Sequence, residues 1–309
     1  MSSSTPAGNR TIAVISAFRP PADLPERVAA LRTQVHGVVV VDDGSASARD
    51  LAIEMEGVEL IELPENRGIA AALNVGIERA RELGATHVLT LDQDSVVPPG
   101  YVDSAMASLR SHAGRRVAGV VPARVEGEVV TTIGAGDRPL DPIQSGQVLV
   151  VDAFGHIGPF DERLVIDAVD SEFTLRARRH GFELYTMEPG ELGHSLGDLT
   201  PLIIFGAHRS VLGRPRYWRY HAPFRTYYMV RNGLALWRLH ARGNIGWLIR
   251  RTAYLIVDVT YTSLASPDRA AQFTAVAHAL RDVLRWRLGK IPAATVELLA
   301  RRGEAARKK

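Results

Sequence analysis

Between residues 11 and 120 the chain alternates short runs of β-branched apolar residues with longer stretches whose apolar positions recur at helical spacing. Residues 11–16 (TIAVIS) read as a strand, 25–33 has helical spacing at Val28, Leu31 and Arg32, and 37–41 (GVVVV) is a continuous apolar run. Runs of that last kind belong to parallel strands buried on both faces. A strand over 58–63, a helix over 69–83 closed by Gly84, and a buried strand over 87–91 (HVLTL) continue the series. Repeated strand, turn and helix units predict an α/β fold with a mostly parallel sheet wound by right-handed crossovers. The loops at the carboxyl ends of its strands are then open to ligands.

From 117 to 194 the pattern becomes irregular, with short strands expected over 117–121, 129–133 and 148–151 and a helix over 171–180 that stops at Gly181. Beyond Leu199 the composition changes. Arginines and aromatics interleave at Arg214, Arg216, Tyr217, Trp218, Arg219 and Tyr220, and helical patterns follow over 223–239, 245–264 and 271–288. The expected organisation is a disordered lead-in over 1–9, a catalytic α/β domain over 10–204 and a basic, aromatic-rich helical region over 205–309. No internal repeat interrupts it.

Composition removes several classes. The 309 residues are 46% hydrophobic and 23% charged, with no cysteine, which excludes a disulfide scaffold and thiolate metal sites. The opening MSSSTPAGNR lacks the basic-then-apolar pattern of a secretion signal, so the expected location is the cytoplasm. The net charge of +3 hides a division: residues 1–204 hold 17 basic and 29 acidic side chains, a net −12, whereas 205–309 hold 20 and 5, a net +15. Such asymmetry separates an acidic part from a basic part suited to phosphates, nucleic acid or an anionic membrane.

Acidic residues punctuate two of the strand ends. Asp92 and Asp94 follow the apolar run 87–91 as Asp92-Gln93-Asp94; carboxylates at i and i+2 lean to one side, and oxygen ligands suit a hard divalent cation that already carries phosphates. The alternative is an ordinary Asp-rich turn. Asp42 and Asp43 open Asp42-Asp43-Gly44-Ser45, where an acceptor-only carboxylate suits the imide N–H of a pyrimidine base or a ribose hydroxyl, and where a turn with local hydrogen bonds is the competing reading. Asn66, Arg67 and Gly68 precede a helix that carries Asn74 and Gly76; a helix start and a cation attract a diphosphate, and a plain capped helix is the simpler account. Asp167, Asp170 and Glu172 stand ahead of or within the first turn of the helix that bears Arg176. Either the helix dipole or a general base aimed at a hydroxyl accounts for them. His194, between Gly193 and Ser195, is a candidate third metal ligand.

In this order, the segments VVDDGS, NRGIAAALNVGI, LTLDQDS, GPFDERLVIDAVDSEFTLRARRHGF and YYMVRN resemble the inverting, nucleotide-sugar-dependent glycosyltransferases of family 2 with the GT-A fold, and among them the bacterial rhamnosyltransferases. The resemblance covers about residues 10–235. It implies that Asp42 recognises the base, that Asp43, Asn66, Arg67 and Asn74 line the donor site, and that Asp92 and Asp94 hold Mg²⁺ or Mn²⁺, Asp94 the more directly. It puts Asp170 at the catalytic-base position, supported by Glu172; Val169 stands where many members have a second carboxylate, and the choice among Asp167, Asp170 and Glu172 stays open. The implied partners are a dTDP- or UDP-sugar donor, dTDP-rhamnose by resemblance, and a saccharide or lipid-linked saccharide acceptor in the cell envelope.

Competing readings leave residues unexplained. The first strand ends in Ser16-Ala17-Phe18-Arg19-Pro20 rather than a G-x-G-x-x-G cradle, and the start of the chain carries no glycine-rich, Lys-containing triphosphate loop. This disfavours a dinucleotide oxidoreductase and a sugar nucleotidyltransferase. A nucleic-acid-binding protein would use the basic half but not the acidic strand ends, so no nucleic acid is expected among the partners. Residues 245–264 have the length of a membrane span, but Arg250, Arg251 and Asp258 interrupt it at a cost of roughly 2.5–3.5 kcal/mol for each charge near a bilayer centre. An amphipathic helix at the inner membrane surface, or a helical appendage that packs on the catalytic domain or builds a homo-oligomer, are the two expectations for this region.

Overall fold

The protein is described by a computed structural model covering all residues except 1–8, 52, 54–55, 194–198, 202, 205–206, 209, 212–213, 216 and 308–309. The expected lead-in lies almost wholly outside the described residues. The chain divides into two compact units, one formed by Met1–Glu162 and Val169–Ser195, the other by Arg163–Ala168 and Leu196–Lys309.

The first unit begins with β1 (Thr11–Ala17), α1 (Leu24–Arg32), β2 (Gly37–Asp42), β3 (Val58–Glu62), α2 (Ile69–Glu82) and β4 (His87–Asp92). It continues through α3 (Tyr101–Ser111), β5 (Val117–Val125), β6 (Glu128–Val129), β7 (Gln147–Val150), the single turn α4 (Phe154–Ile157), α5 (Val169–Arg179) and β8 (Glu183–Leu192). The strand order is β3-β2-β1-β4-β7-β5-β6, and β8 pairs with β5. The first four strands are parallel to one another; β7 runs antiparallel between β4 and β5, and β8 is parallel to β5. The parallel half is what the apolar runs predict: every residue of β1 and β2 is buried.

Register aligns the carboxyl ends. Ala17 of β1 pairs with Asp42, and Ser16 pairs with Asp92 on the other side. Two strand spacings place the two aspartates roughly 10 Å apart on one edge of the sheet.

Helix α2 lies close on that sheet because its inner face is made of small residues: Ala70, Ala71, Ala72 and Gly76 are all buried. A Cβ at Gly76 would stand 2.3 Å from Cγ1 of Val14, in the middle of β1. The glycine is therefore demanded by packing, not by its backbone conformation.

Helix α3 and strand β8 have no counterpart in the sequence reading. β8 carries Glu188, Pro189 and Gly190 inside it, which break the strand pattern, and α3 buries Tyr101, Val102, Ala105 and Met106 among small and polar residues that dilute the period. The strand expected over 129–133 shrinks to β6, with only an isolated bridge from Thr132 to Pro139 beyond it.

The second unit starts with three small antiparallel pairs: β9 (Leu199–Pro201) with β14 (Tyr217–Arg219), β10 (Ile203–Ile204) with β11 (Ala207–His208), and β12 (Ser210–Val211) with β13 (Arg214–Pro215). Three helices follow, α6 (Pro223–Ala265), α7 (Arg269–Leu284) and α8 (Ala293–Arg307). α6 is broken at Arg242, Gly243 and Asn244, and across the break the Trp237 Nε1–H donates to Thr252 Oγ1 at 2.9 Å. Its halves thus form a hairpin and match the two helices expected over 223–239 and 245–264. α7 ends four residues earlier than expected, and α8 was not signalled.

Segment Arg163–Ala168 holds three non-glycine residues at positive φ: Val165 (69°), Asp167 (61°) and Ala168 (62°). Such backbone, for a β-branched residue above all, costs roughly 1–3 kcal/mol each and persists only where its surroundings enforce it. The enforcing side chains are Arg231 and Asn232, both fully buried. The Asn232 amide donates to the carbonyls of Leu164 (2.7 Å), Ile166 (2.7 Å) and Asp167 (3.0 Å), and Arg231 donates to Gly289 at 2.5 Å and to Arg163 and Leu164 at 3.3 Å. This accounts for the Arg-Asn pair of YYMVRN.

Two stability outcomes follow from this packing. Gly76→Ala is expected to destabilise by about 1–3 kcal/mol through overpacking against Val14, although the same exchange in an open helix gains about 1 kcal/mol; a denaturant midpoint that rises would refute the close contact. Asn232→Ala is expected to cost at least about 2 kcal/mol, because the Ile166 and Asp167 carbonyls lose their donor. All four tryptophans, at 218, 237, 247 and 286, belong to the second unit. Tryptophan-detected unfolding therefore reads that loss directly, and an unchanged midpoint would show that Asn232 does not hold the segment.

Candidate active site

Asp42 is fully buried at the end of β2, where an ionised carboxylate needs a complete set of donors. Its Oδ1 accepts the Ser45 N–H at 2.7 Å and the Ser45 hydroxyl at 2.8 Å, and its Oδ2 accepts the Ala48 N–H at 3.0 Å. Burial opposes ionisation, but these donors outweigh it and hold the carboxyl below its ordinary range. Asp43 reaches across to the next loop, accepting the N–H of Arg67 at 2.6 Å and of Gly68 at 2.8 Å immediately before α2. The two loops also touch through backbone: Gly44 has φ +74° and a Cβ there would lie 2.2 Å from the Glu65 carbonyl carbon. No side chain fits, which fixes glycine at this position.

The third loop, after β1, is tied to both acidic motifs. The Phe18 N–H donates to Gln93 Oε1 at 2.8 Å and the Arg19 N–H to Ser45 Oγ at 2.9 Å. Arg27 of α1 donates to the Asp94 carbonyl at 2.5 Å. Beneath the second motif, Gln144 Nε2 donates to Asp92 Oδ1 at 2.5 Å, and the Asp92 N–H donates to Ser145 Oγ at 3.1 Å, which in turn lies 2.6 Å from Ser95 Oγ. The Thr90 hydroxyl donates to the Gln144 carbonyl at 2.7 Å.

Asp170 is the second residue of α5, half-buried, with its Oδ1 accepting the adjacent Ser171 N–H at 2.8 Å. The Ser171 hydroxyl donates to Asp141 Oδ1 at 2.6 Å. Segment 141–145 thus meets Asp92 through Gln144 and the start of α5 through Asp141. The backbone from Asp141 to Gln144 spans at most about 11 Å, so this segment ties the end of β4 to the first turn of α5. Arg178 of α5 braces the same segment, donating to the carbonyls of Pro139 and Leu140.

Glu172 is almost fully buried and its charge is committed: both oxygens accept from Arg176 at 2.8–3.1 Å, while Arg176 also donates to the carbonyls of Ile157 at 2.5 Å and Pro159 at 2.7 Å. Asp167, in the second unit, has its pKa raised by burial, with Arg225 at 3.3 Å opposing the shift.

The structure therefore brings Asp42, Asp43, Asn66, Arg67, Asp92 and Asp94 to one edge of the sheet and links Asp170 to it. Asn74 is elsewhere on α2, exchanging hydrogen bonds with the backbone of Phe160 and with Glu162. Arg67 forms a 2.7 Å ion pair with Glu162, both partly exposed. His194 lies outside the described residues. Gln144 and Ser145 contact Asp92 and have no counterpart in the sequence reading; their signal there is a polar Gln-Ser pair just ahead of an apolar run.

Comparison with known proteins agrees with this geometry. Residues 12–139 match the model of Glycosyl transferase family 2. The chain is 28% identical over 244 residues to the dTDP-rhamnosyl transferase RfbF of Shigella flexneri, covering 73% of this chain and 79% of that protein. Among solved structures, TarS of S. aureus aligns with a TM-score of 0.53 at 15% identity, over 96% of this chain and 53% of TarS, so this chain spans about half of that protein's length. TarS 1-349 in complex with UDP-GlcNAc aligns with a TM-score of 0.50 at 14% identity over 89% of each chain. The matched domain over residues 12–139, the fold and the curated relative together support a family 2 glycosyltransferase of GT-A fold near the rhamnosyltransferases.

Proposed function

We propose that the chain transfers L-rhamnose from dTDP-rhamnose, with inversion, to a saccharide or lipid-linked saccharide acceptor of the cell envelope. The observation that carries the donor assignment is the 28% identity to a dTDP-rhamnosyl transferase across both units of the chain. Supporting the class of donor, a fold neighbour is described with UDP-GlcNAc bound.

The loops after β1, β2 and β4 form the donor platform. Asp42 and Asp43 have their oxygens engaged by backbone N–H groups of the loops, so they act by holding the base-facing loops in shape. The N-terminus of α2 adds a positive dipole end for the diphosphate. Asp92 and Asp94 are two carboxylates at i and i+2 at the end of β4, a donor chemistry that suits a hard divalent cation; among the described residues no set of three acidic or histidine side chains converges. Held there, Mg²⁺ or Mn²⁺ would supply charge to offset the departing diphosphate. Gln144 orients Asp92 through the hydrogen bond to its Oδ1.

Asp170 serves as the general base that takes the proton from the acceptor hydroxyl as its oxygen attacks the anomeric carbon. Glu172 is a poor base because its charge is matched by Arg176, and it positions the first turn of α5 instead. One in-line displacement inverts the anomeric centre.

Asp170→Asn is expected to lower kcat by roughly a hundredfold or more with donor affinity retained, the range for losing a general base. Near-normal turnover in folded protein would remove Asp170 from the mechanism. Asp94→Ala is expected to lose about as much activity and also the Mn²⁺-dependent rise in thermal stability that a bound nucleoside diphosphate gives by linkage. A donor panel read by nucleoside diphosphate release tests the sugar: preference for any nucleotide sugar other than dTDP-rhamnose overturns that assignment.

A further inference from the structure

The second half of α6 presents a face that the rest of its unit leaves uncovered. Ile245, Ile249, Ile256, Val257 and Leu264 are each 51–61% exposed. At 100° per residue they fall within a 120° arc, together with the exposed Ala253 and Thr260. Leu248 on the opposite side is fully buried. The neighbouring α7 repeats the arrangement: Phe273, Leu280 and Leu284, at i, i+7 and i+11, are 53%, 42% and 84% exposed. Large apolar side chains in a continuous exposed stripe mark an interaction surface rather than ordinary surface variation.

Charge decides what covers it. Arg242 and Arg250 of α6, and Arg285 and Arg287 just after α7, are exposed, and the Arg250 guanidinium stands 5.7 Å from the Tyr254 ring at the edge of the stripe. The acids of the same helices are already engaged: Asp258 with His221 at 3.3 Å, Asp268 with the Tyr220 hydroxyl at 2.8 Å, and Asp282 with the Tyr227 hydroxyl at 2.9 Å and with Arg281. An apolar stripe rimmed by cations is complementary to an anionic lipid surface, whereas a second copy would bring together two regions of net +15. Among the described residues no helix is long and apolar enough to cross a membrane.

We propose that the α6 hairpin is a membrane-docking element: its second half lies in the plane of an anionic bilayer surface, with the isoleucine stripe among the acyl-chain ends of the headgroups and the arginines on lipid phosphates. Interfacial helices of this type bury their apolar face about 5–10 Å into the headgroup boundary. This site is independent of the donor and acceptor assignments above, because none of its residues belongs to the strand-end cluster.

Vesicle flotation of the full chain tests it, with phosphatidylcholine vesicles compared with vesicles containing phosphatidylglycerol. Binding is expected to rise at least tenfold with the anionic lipid, as each arginine near such a surface contributes roughly fivefold, and to fall with added salt. Ile249→Asp with Ile256→Asp is expected to lower partition about a hundredfold, roughly tenfold for each side chain withdrawn from the interface. Arg242→Gln with Arg250→Gln should cut the anionic preference at least tenfold, at roughly fivefold for each arginine, and leave the weak binding to neutral vesicles in place. Both pairs are exposed, so the melting temperature is expected to stay put; should the aspartate pair unfold the protein, the glutamine pair gives the answer alone. Equal binding to neutral and anionic vesicles, or no loss on either substitution, overturns the proposal. Concentration-dependent dimerisation that the aspartate pair abolishes, without vesicle binding by the parent chain, overturns it in favour of self-association.

Discussion

A carboxylate buried at the end of a strand must find a donor for each of its oxygens, and Asp42 and Asp43 meet that demand with the backbone of two different loops. Asp42 folds residues 45–48 around itself, and Asp43 takes the N–H groups of Arg67 and Gly68. The loop after β2 and the start of α2 therefore become one rigid piece, closed by the backbone contact at Gly44 that admits no side chain. Removing either acid would take the acceptor from two loop N–H groups at once, one of them buried and worth about 1–3 kcal/mol, so the contacts within each loop are lost together. The β1 loop joins it through Ser45 and Gln93. The register of β1 with β2 and β4 brings Asp92 to the same edge as this piece.

The same logic governs the other side of the site. The chain leaves the first unit after Glu162 and returns at Val169, and both ends of that excursion are pinned within the first unit: Glu162 by Arg67 and Asn74, and the start of α5 by the Glu172–Arg176 pair and the Ser171–Asp141 hydrogen bond. The excursion itself carries three left-handed residues that Asn232 and Arg231 hold from the second unit. Strain stored over 165–168 ends two positions before Asp170. Such strain is tolerated where a surrounding network over-determines the backbone, and it is enriched at sites whose side chains need a fixed direction.

How much of this was legible in the sequence depends on whether the signal was local. The parallel strands were, because a run such as GVVVV needs both faces dry, and so were the acidic strand ends that follow from it. The α6 hairpin was legible through the polar break between two helical patterns. Gln144 and Ser145 were not, since their role comes from β7 lying antiparallel beside β4, a pairing that no local periodicity encodes. Arg67 and Asn74 carry the local signature of donor contacts, and the structure adds Glu162, about 90 positions away, as a partner of both. Side chains next to a helix start carry the same local signature whether they face a ligand or another loop. Only tertiary placement separates those cases.

The charge division bears on how an anionic donor reaches an acidic surface. Residues 1–204 carry a net −12, which by itself repels a nucleoside diphosphate. At physiological ionic strength the Debye length is about 8 Å, so what counts is the local arrangement at the strand ends rather than the total. There Asp42, Asp43 and Glu172 are each matched by hydrogen-bond donors or a guanidinium, and the α2 N-terminus offers a positive dipole end. Asp92 and Asp94 are the pair that the proposed function assigns to a cation, with Asp92 oriented by Gln144. On the proposed reading, a divalent ion held by that pair would supply positive charge at the carboxyl end of β4 for the diphosphate. On that reading donor binding would be coupled to the ion, which would supply the charge that departure of the diphosphate requires.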